Sequence, residues 1–163
     1  MEEALISAAN LHRHSISATF GFIVGLPEEG FENTLKTLAT IKEIKRINPD
    51  FEFNIFFYTP YPGTALFDDI VRKGYRVPQS LAEWSSLDFL KYAGYWLHPL
   101  EQEYVRRFKF YARMGTERRF DRPWFYPVRM IAAARLRKSY FQFPVEMRVG
   151  DLVRKNILRR HDW

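Results

Sequence analysis

Residues 17–28 read SATFGFIVGLPE. The first eight of these residues form an apolar, β-rich run without clean alternation, which is typical of a strand covered on both faces in a parallel sheet. The Gly25-Leu26-Pro27 sequence ends the run, because glycine and proline mark turns. The segment therefore predicts a buried parallel strand that ends in a tight turn.

Helical and strand patterns alternate on both sides of this run. Residues 2–14 carry apolar side chains at helical spacing and predict a short amphipathic helix. Apolar residues then step by three or four from Phe31, which predicts a helix that ends at about residue 47, before Asn48-Pro49. Residues 51–58, FEFNIFFY, predict the second strand.

A turn and a short helix complete this first part of the chain. Residues 60–64, PYPGT, contain two prolines and a glycine, and residues 65–73 predict a helix closed by Gly74. The order of helices and strands is typical of βα units on a parallel sheet, so the fold class is α/β. Two strands leave an apolar edge exposed, and we expect the isolated chain to aggregate or dimerise.

The chain changes character after residue 76. Strand patterns stop, and residues 100–119, 127–140 and 144–160 predict helices. Residues 1–100 hold 9 Lys and Arg against 12 Asp and Glu, whereas residues 101–163 hold 16 against 7. We therefore divide the chain into βα units over residues 1–76 and a basic helical extension over residues 77–163.

Composition excludes several classes of protein. The 163 residues include no cysteine, so the chain itself forms no disulfide, thiolate zinc site or cysteine-ligated iron–sulfur cluster. Its first residues lack the basic and apolar regions of a signal peptide, and no stretch has the roughly 20 apolar residues of a membrane span. We expect a cytoplasmic protein.

One pattern carries a resemblance to a known family. Residues 21–28, GFIVGLPE, fit G-x-I-x-G-x-x-E, and the second strand leads into YTPYPGT at residues 58–64. This arrangement resembles the fifth and sixth strands of the partial barrel of radical S-adenosylmethionine (radical SAM) enzymes. The C-terminal extension of the cobalamin-binding-domain group is similar to this chain at residues 74–75, Trp84, residues 135–137 and residues 140–146. That group includes anaerobic magnesium-protoporphyrin cyclase-like enzymes and related methyltransferases.

The resemblance implies a fold and a cofactor site. It covers nearly the whole chain and implies a C-terminal fragment of a partial, TIM-like (β/α) barrel followed by a helical extension. Ile23 matches the apolar contact with the adenine of S-adenosylmethionine. Gly21 and Gly25 match the glycines that let the nucleoside approach the backbone. Glu28 matches the acidic residue that organises the loop.

The second strand contributes to the same site. The resemblance implies a backbone contact with adenine around residues 56–58, which makes Phe56 and Tyr58 candidate site residues. Ligands of parallel sheets bind at the carboxyl ends of the strands, and both residues lie at such an end.

The cofactors that the resemblance implies are S-adenosylmethionine, a [4Fe–4S] cluster and, for this group, cobalamin. The cluster requires three cysteines, usually C-x-x-x-C-x-x-C, and this chain has none. The expected partner is therefore the missing N-terminal half of the barrel. The complete enzyme would be an oxidoreductase or a methyltransferase, and we expect this chain to be inactive alone.

Other interpretations of the same residues stay open. The glycine pattern also fits an ordinary βα turn, and Tyr58, Tyr61 and Thr64 suit either a pocket or a simple turn. His12 and His14 point to different faces of a helix, which disfavours a metal site.

A non-catalytic helical interaction module is the alternative function. Its basic tail would contact an anionic membrane surface or nucleic acid, although no sequence-specific nucleic acid is expected. The cations on which this alternative depends are Arg106, Arg107, Lys109, Arg113, Arg118, Arg119, Arg122, Arg129, Arg135, Arg137 and Lys138.

Overall fold

The computed structural model describes residues 2–85, 97–116 and 123–148. The chain divides into two compact units, residues 1–102 and residues 103–163. The first unit contains both strands, and the described part of the second contains helices only. The fold class is therefore α/β, and its sheet has two parallel strands within the described residues.

The first unit is built around one strand–helix–strand connection. Helix α1, strand β1, helix α2 and strand β2 cover, in order, Glu2–Arg13, Thr19–Val24, Phe31–Ile47 and Glu52–Phe57. The strands are parallel, and their register places Thr19 opposite Glu52 and Val24 opposite Phe57. These four elements lie within the predicted segments, and α2 ends before Asn48-Pro49 as the sequence predicts.

Helices α1 and α2 pack on the same face of the sheet. Ala8 of α1, Ile44 of α2 and Phe51 are almost fully buried and form one cluster, against which Phe20 and Phe22 of β1 pack. The Phe20 and Phe51 ring centroids lie 5.5 Å apart. Because residues i and i+2 of a strand share a face, β1 directs one side of its pleat into this core.

The opposite face of β1 is exposed. Thr19, Gly21 and Ile23 are all exposed, and they alternate with half-buried or buried residues. The expectation that β1 is covered on both faces is therefore wrong for the described part of this chain. Apolar residues of β1 point to both faces of the sheet, whereas α1 and α2 pack against only one of these faces.

A buried lysine joins the end of α2 to the start of β2. Lys45 is 5% exposed, and its Nζ donates hydrogen bonds to the carbonyl oxygens of Pro49 at 2.8 Å and Phe51 at 2.6 Å. The ammonium also lies 5.7 Å from the centroid of the Phe53 ring. These contacts offset the cost of removing the charge from water and fix the connection between the two elements.

Two short helices follow β2. Helices α3 and α4 cover Ala65–Arg72 and Leu81–Ser85. The Thr64 hydroxyl accepts a hydrogen bond from the Phe67 backbone N–H at 3.2 Å and so caps α3, and Gly74 ends the helix with φ +95°. An apolar cluster packs α4 against α3, and its members are Phe67, Ile70, Tyr75, Val77 and Trp84.

The second unit is a helical pair with a packed turn. Helix α5 covers Pro99–Thr116, a 3₁₀ turn covers Pro123–Phe125, helix α6 covers Tyr126–Lys138, and residues 145–148 form one more helical turn. A Cβ on Gly115 would lie 3.1 Å from the backbone nitrogen of Ala133, so this glycine lets α5 and α6 approach closely. The predicted helical residues 117–119 and 149–160 lie outside the described residues.

None of the helices in the described segments is long and apolar enough to cross a membrane.

Candidate functional site

The face of the sheet that α1 and α2 leave uncovered carries large apolar side chains. Ile23 is 59% exposed and lies opposite Phe56 in the register of the sheet. Gly21 shares this face with Ile23, and Asn54 shares it with Phe56, because alternate residues of a strand point the same way. We call this surface, made of Gly21, Ile23, Asn54 and Phe56, the open face.

A cavity of about 460 Å³ lies at the carboxyl end of the open face. Its volume falls within the roughly 300–1,000 Å³ that small-molecule sites occupy. Parallel sheets bind ligands at this end of their strands. The lining is mostly apolar and comes from Ile23, Phe56, Phe57, Tyr58, Thr59 and Tyr61.

The structure brings part of the sequence-predicted site together. Ile23, Phe56 and Tyr58 line the cavity, together with Tyr61. The candidate residues Gly21, Gly25 and Glu28 do not line it. Phe57 falls within the predicted range 56–58, whereas sequence reasoning missed Thr59, which directly follows Tyr58 in the chain.

Gly21 leaves space on the open face that the chain itself does not fill. A Cβ built at Gly21 would have one neighbour within 4 Å, the Phe56 Cε2 atom at 4.0 Å, which is an ordinary contact distance. Glycine inside a strand is unfavourable, and it often marks a place where a ligand or another backbone comes close. Packing among the described residues therefore does not account for Gly21.

Gly25 is required by the backbone of the turn after β1. Its φ is +71°, in the left-handed region that residues with a Cβ rarely adopt. A Cβ at this position would also lie 3.1 Å from the Leu97 Cδ2 atom. The Tyr58 N–H donates to the Val24 carbonyl oxygen at 2.9 Å, which extends the strand pairing up to this turn. Gly25 is therefore explained by the backbone of the turn and by its contact with Leu97.

Glu28 holds the turn in place through an ion pair. Its carboxylate binds the Lys73 Nζ, which also binds the Asp69 carboxylate at 2.6 Å. The Lys73 hydrogen bond holds the pKa of Asp69 below its ordinary value, and the hydrogen bonds to Asp69 and Glu28 raise the pKa of Lys73. Glu28 also has a left-handed φ of 68°. This geometry suits the loop-organising role that the sequence resemblance implies for Glu28.

Tyr58 lines the cavity, and its hydroxyl oxygen is buried from solvent. Burial raises the pKa of Tyr58 above its ordinary value, and a hydrogen bond with Thr64 acts in the opposite direction. The same Thr64 hydroxyl donates to the Tyr61 carbonyl oxygen at 3.0 Å. The cap of α3 therefore also fixes the segment that lines the cavity, and Tyr58 stays protonated at neutral pH.

The donor set of the described residues does not fit a metal or an iron–sulfur cluster. Residues 2–85, 97–116 and 123–148 contain no group of three or more His, Asp or Glu side chains that could hold a metal ion. The whole sequence lacks cysteine. The cavity is lined mostly by apolar and aromatic surface, on which flat ring systems stack.

Several cations of the basic tail are bound within the second unit. Arg106 and Arg107 both donate to the Glu103 carboxylate at 2.8 Å, and Arg135 binds Glu146 at 3.2 Å. Burial and the neighbouring Arg113 lower the pKa of Lys109. Arg118, Arg119 and Arg122 lie outside the described residues. Intramolecular ion pairs thus account for part of the charge that suggests a nucleic-acid or membrane tail.

No family model, curated protein or solved structure matches this chain.

Proposed function

We propose that this chain is the C-terminal part of a radical SAM enzyme and forms the adenine-side wall of its S-adenosylmethionine site. The open face carries this proposal. In a (β/α) barrel the helices lie outside, one face of each strand points to the interior, and ligands bind at the carboxyl ends of the strands. The placement of α1 and α2 on one face, with an exposed Ile23 and a half-buried Phe56 on the other, is the arrangement expected of two adjacent βα units of a barrel.

The cavity supports adenine as the group that binds here. Ile23 and Phe56 offer an apolar and an aromatic surface at the carboxyl ends of both strands. Base-to-aromatic stacking contributes about 1–3 kcal/mol per base. The space beside Gly21 allows a flat ring to approach the backbone.

The remaining parts of the site must come from outside this chain. Reductive cleavage of S-adenosylmethionine needs a [4Fe–4S] cluster, and the three cysteines that hold it would belong to the N-terminal half of the barrel. The chain described here contributes binding and orientation of adenine only. It would therefore be inactive in isolation.

Saturation-transfer NMR with S-adenosylhomocysteine tests the proposed adenine contact. This method detects weak binding, which is expected when this chain supplies only one side of the site. The adenine H2 and H8 protons should show stronger saturation than the homocysteine protons. Ile23→Asp should abolish the adenine signal, since it puts a charge against the ring. Gly21→Val should also reduce it by filling the open face, and valine favours strand structure, so the fold is retained.

Leu81→Asp is the matched control, because Leu81 is 86% exposed and lies away from the sheet. Absence of an adenine signal, or an equal signal in the Ile23→Asp variant, would refute the adenine wall. The genomic sequence upstream provides an independent test. An in-frame C-x-x-x-C-x-x-C supports the barrel fragment, whereas a promoter with no such frame favours the helical interaction module.

A further inference from the structure

The turn after α6 displays apolar side chains on the surface of the second unit. Tyr140 is 48% exposed, Phe143 is 77% exposed and Val145 is 60% exposed. Single exposed apolar residues are common on proteins, but three within six residues form a patch that calls for a partner. We call residues 139–145 the aromatic turn.

Hydrogen bonds from Arg135 hold the backbone of the aromatic turn. The Arg135 guanidinium donates hydrogen bonds to the carbonyl oxygens of Gln142 at 2.7 Å and Phe143 at 3.2 Å. It also binds the Glu146 carboxylate at 3.2 Å, and Phe141 is buried in the core of the unit. These contacts fix the backbone on both sides of Phe143, and its side chain projects into solvent.

Two residues of the turn have unfavourable backbone geometry. Ser139 and Phe143 both have a φ of 50°, in the left-handed region that glycine or asparagine adopts more easily. Neither backbone preference nor burial selects phenylalanine at position 143. Backbone strain of this kind is concentrated at functional sites.

The charge around the turn is positive. Arg137 and Lys138 precede it, Arg148 follows it, and all three are exposed. Glu146 is the one acidic residue among residues 137–148. It is bound to Arg135, and it accepts a hydrogen bond from the Tyr111 hydroxyl at 3.0 Å. Among the described residues 137–148, the exposed charges that flank the aromatic turn are therefore all cationic.

We propose that the aromatic turn docks the second unit on an anionic lipid surface. Phe143 enters the interface between headgroups and acyl chains, with Tyr140 at the headgroup level, where amphipathic aromatic rings are favoured. Arg137, Lys138 and Arg148 meet the anionic headgroups, which attract cations close to the surface. An apolar side chain surrounded by cations fits a lipid interface better than it fits a groove that binds nucleic acid. In such a groove the bases stack on the faces of aromatic rings.

Liposome flotation of the full chain tests the proposal. The protein should float with phosphatidylcholine vesicles that contain phosphatidylserine and not with phosphatidylcholine alone, and added salt should reduce the bound fraction. Phe143→Ser should weaken binding by roughly tenfold, because it removes the apolar side chain that enters the lipid. Phe143→Trp should bind as well as the parent chain. Aggregates sediment rather than float, so self-association through the open face does not imitate the result.

Matched variants separate the two parts of the interaction. Leu81→Ser removes an equally exposed apolar side chain from the first unit and should leave flotation unchanged. Arg137→Glu with Lys138→Glu should abolish the dependence on phosphatidylserine. Circular dichroism checks that each variant keeps its helices. Equal flotation of Phe143→Ser and the parent chain overturns the proposal, as does binding to an RNA oligonucleotide without binding to anionic vesicles.

Discussion

Ile23 and Phe56 lie opposite each other in the parallel sheet, on the face that α1 and α2 leave open. This pairing places two large apolar side chains side by side at the surface, one of them 59% exposed. In a closed barrel both would face the interior. Among the described residues the outer edges of β1 and β2 pair with no further strand, and an apolar surface beside such edges favours association.

Ile23→Lys should reduce self-association of the isolated chain. A charge at the centre of the open face opposes contact between two apolar surfaces, and little buried area is lost because Ile23 is largely exposed. Light scattering at increasing concentration should show large particles or dimers for the parent chain and a smaller species for the variant. Leu81→Lys, on a residue 86% exposed outside the sheet, should behave like the parent. A monomeric parent chain would contradict this account of the open face.

Gly25→Ala should destabilise the first unit. An alanine in the left-handed region costs about 1–2 kcal/mol, and the Leu97 Cδ2 atom, 3.1 Å from the new Cβ, must also move. Gly63→Ala is the matched control, since Gly63 has a φ of +87° but no atom within 4 Å of a built Cβ. Urea denaturation followed by circular dichroism should rank Gly25→Ala as the less stable variant. Equal losses would mean that contact with Leu97 has no energetic effect.

Arg135→Met should destabilise the second unit by about 2–4 kcal/mol. The substitution removes the hydrogen bonds to Gln142 and Phe143, and it leaves the carboxylate of Glu146, which is only 14% exposed, without its ion pair. Adding Glu146→Gln should recover part of the loss in thermal denaturation. Arg106→Met breaks an ion pair in which Arg106 is 61% exposed and should have little effect. A similar loss of stability in Arg135→Met and Arg106→Met would contradict a larger contribution from the Arg135 contacts.

Tyr111 should make the second unit sensitive to alkali. Burial, reinforced by the hydrogen bond to Glu146, raises the pKa of Tyr111 to about 12, from 10.0 in the unfolded chain. The stabilising contribution is therefore complete below pH 10 and declines as the pH rises from 10 towards 12.

The variant Tyr111→Phe isolates this effect. It should be less stable than the parent by about 1 kcal/mol near neutral pH, because it lacks the hydrogen bond to Glu146. Urea midpoints measured from about pH 8 to about pH 11.5 should converge, because only the parent loses the contribution of this hydroxyl. A constant difference between the two midpoints across this range would contradict the raised pKa.

The strand–helix–strand core could be predicted from the sequence, and the open face could not. The spacing of apolar residues from Phe31 onward is helical, and Asn48-Pro49 fixes the end of α2. In β1, by contrast, apolar residues point to both faces of the strand, with Phe20 and Phe22 on one face and Ile23 on the other. Such a pattern does not reveal which face is covered, because that depends on where the helices pack.

The contacts that hold the second unit together were also beyond sequence reasoning. Arg135 belongs to a basic run that predicts a solvated surface, yet its side chain is only 18% exposed. Its partner Glu146 is 11 positions away, and Tyr111 and Glu146 are 35 positions apart. Local spacing carries no signal for contacts at these separations, which arise only when α5, α6 and the following turn pack together.

Lys45 provides an internal reporter of how the first unit opens. Acylating reagents modify an amine only when it is accessible, and the Lys45 ammonium is almost fully buried between the carbonyl oxygens of Pro49 and Phe51. The exposed Lys36 on the same helix would react at once. The rate at which Lys45 is acylated would therefore measure how often the connection between α2 and β2 comes apart.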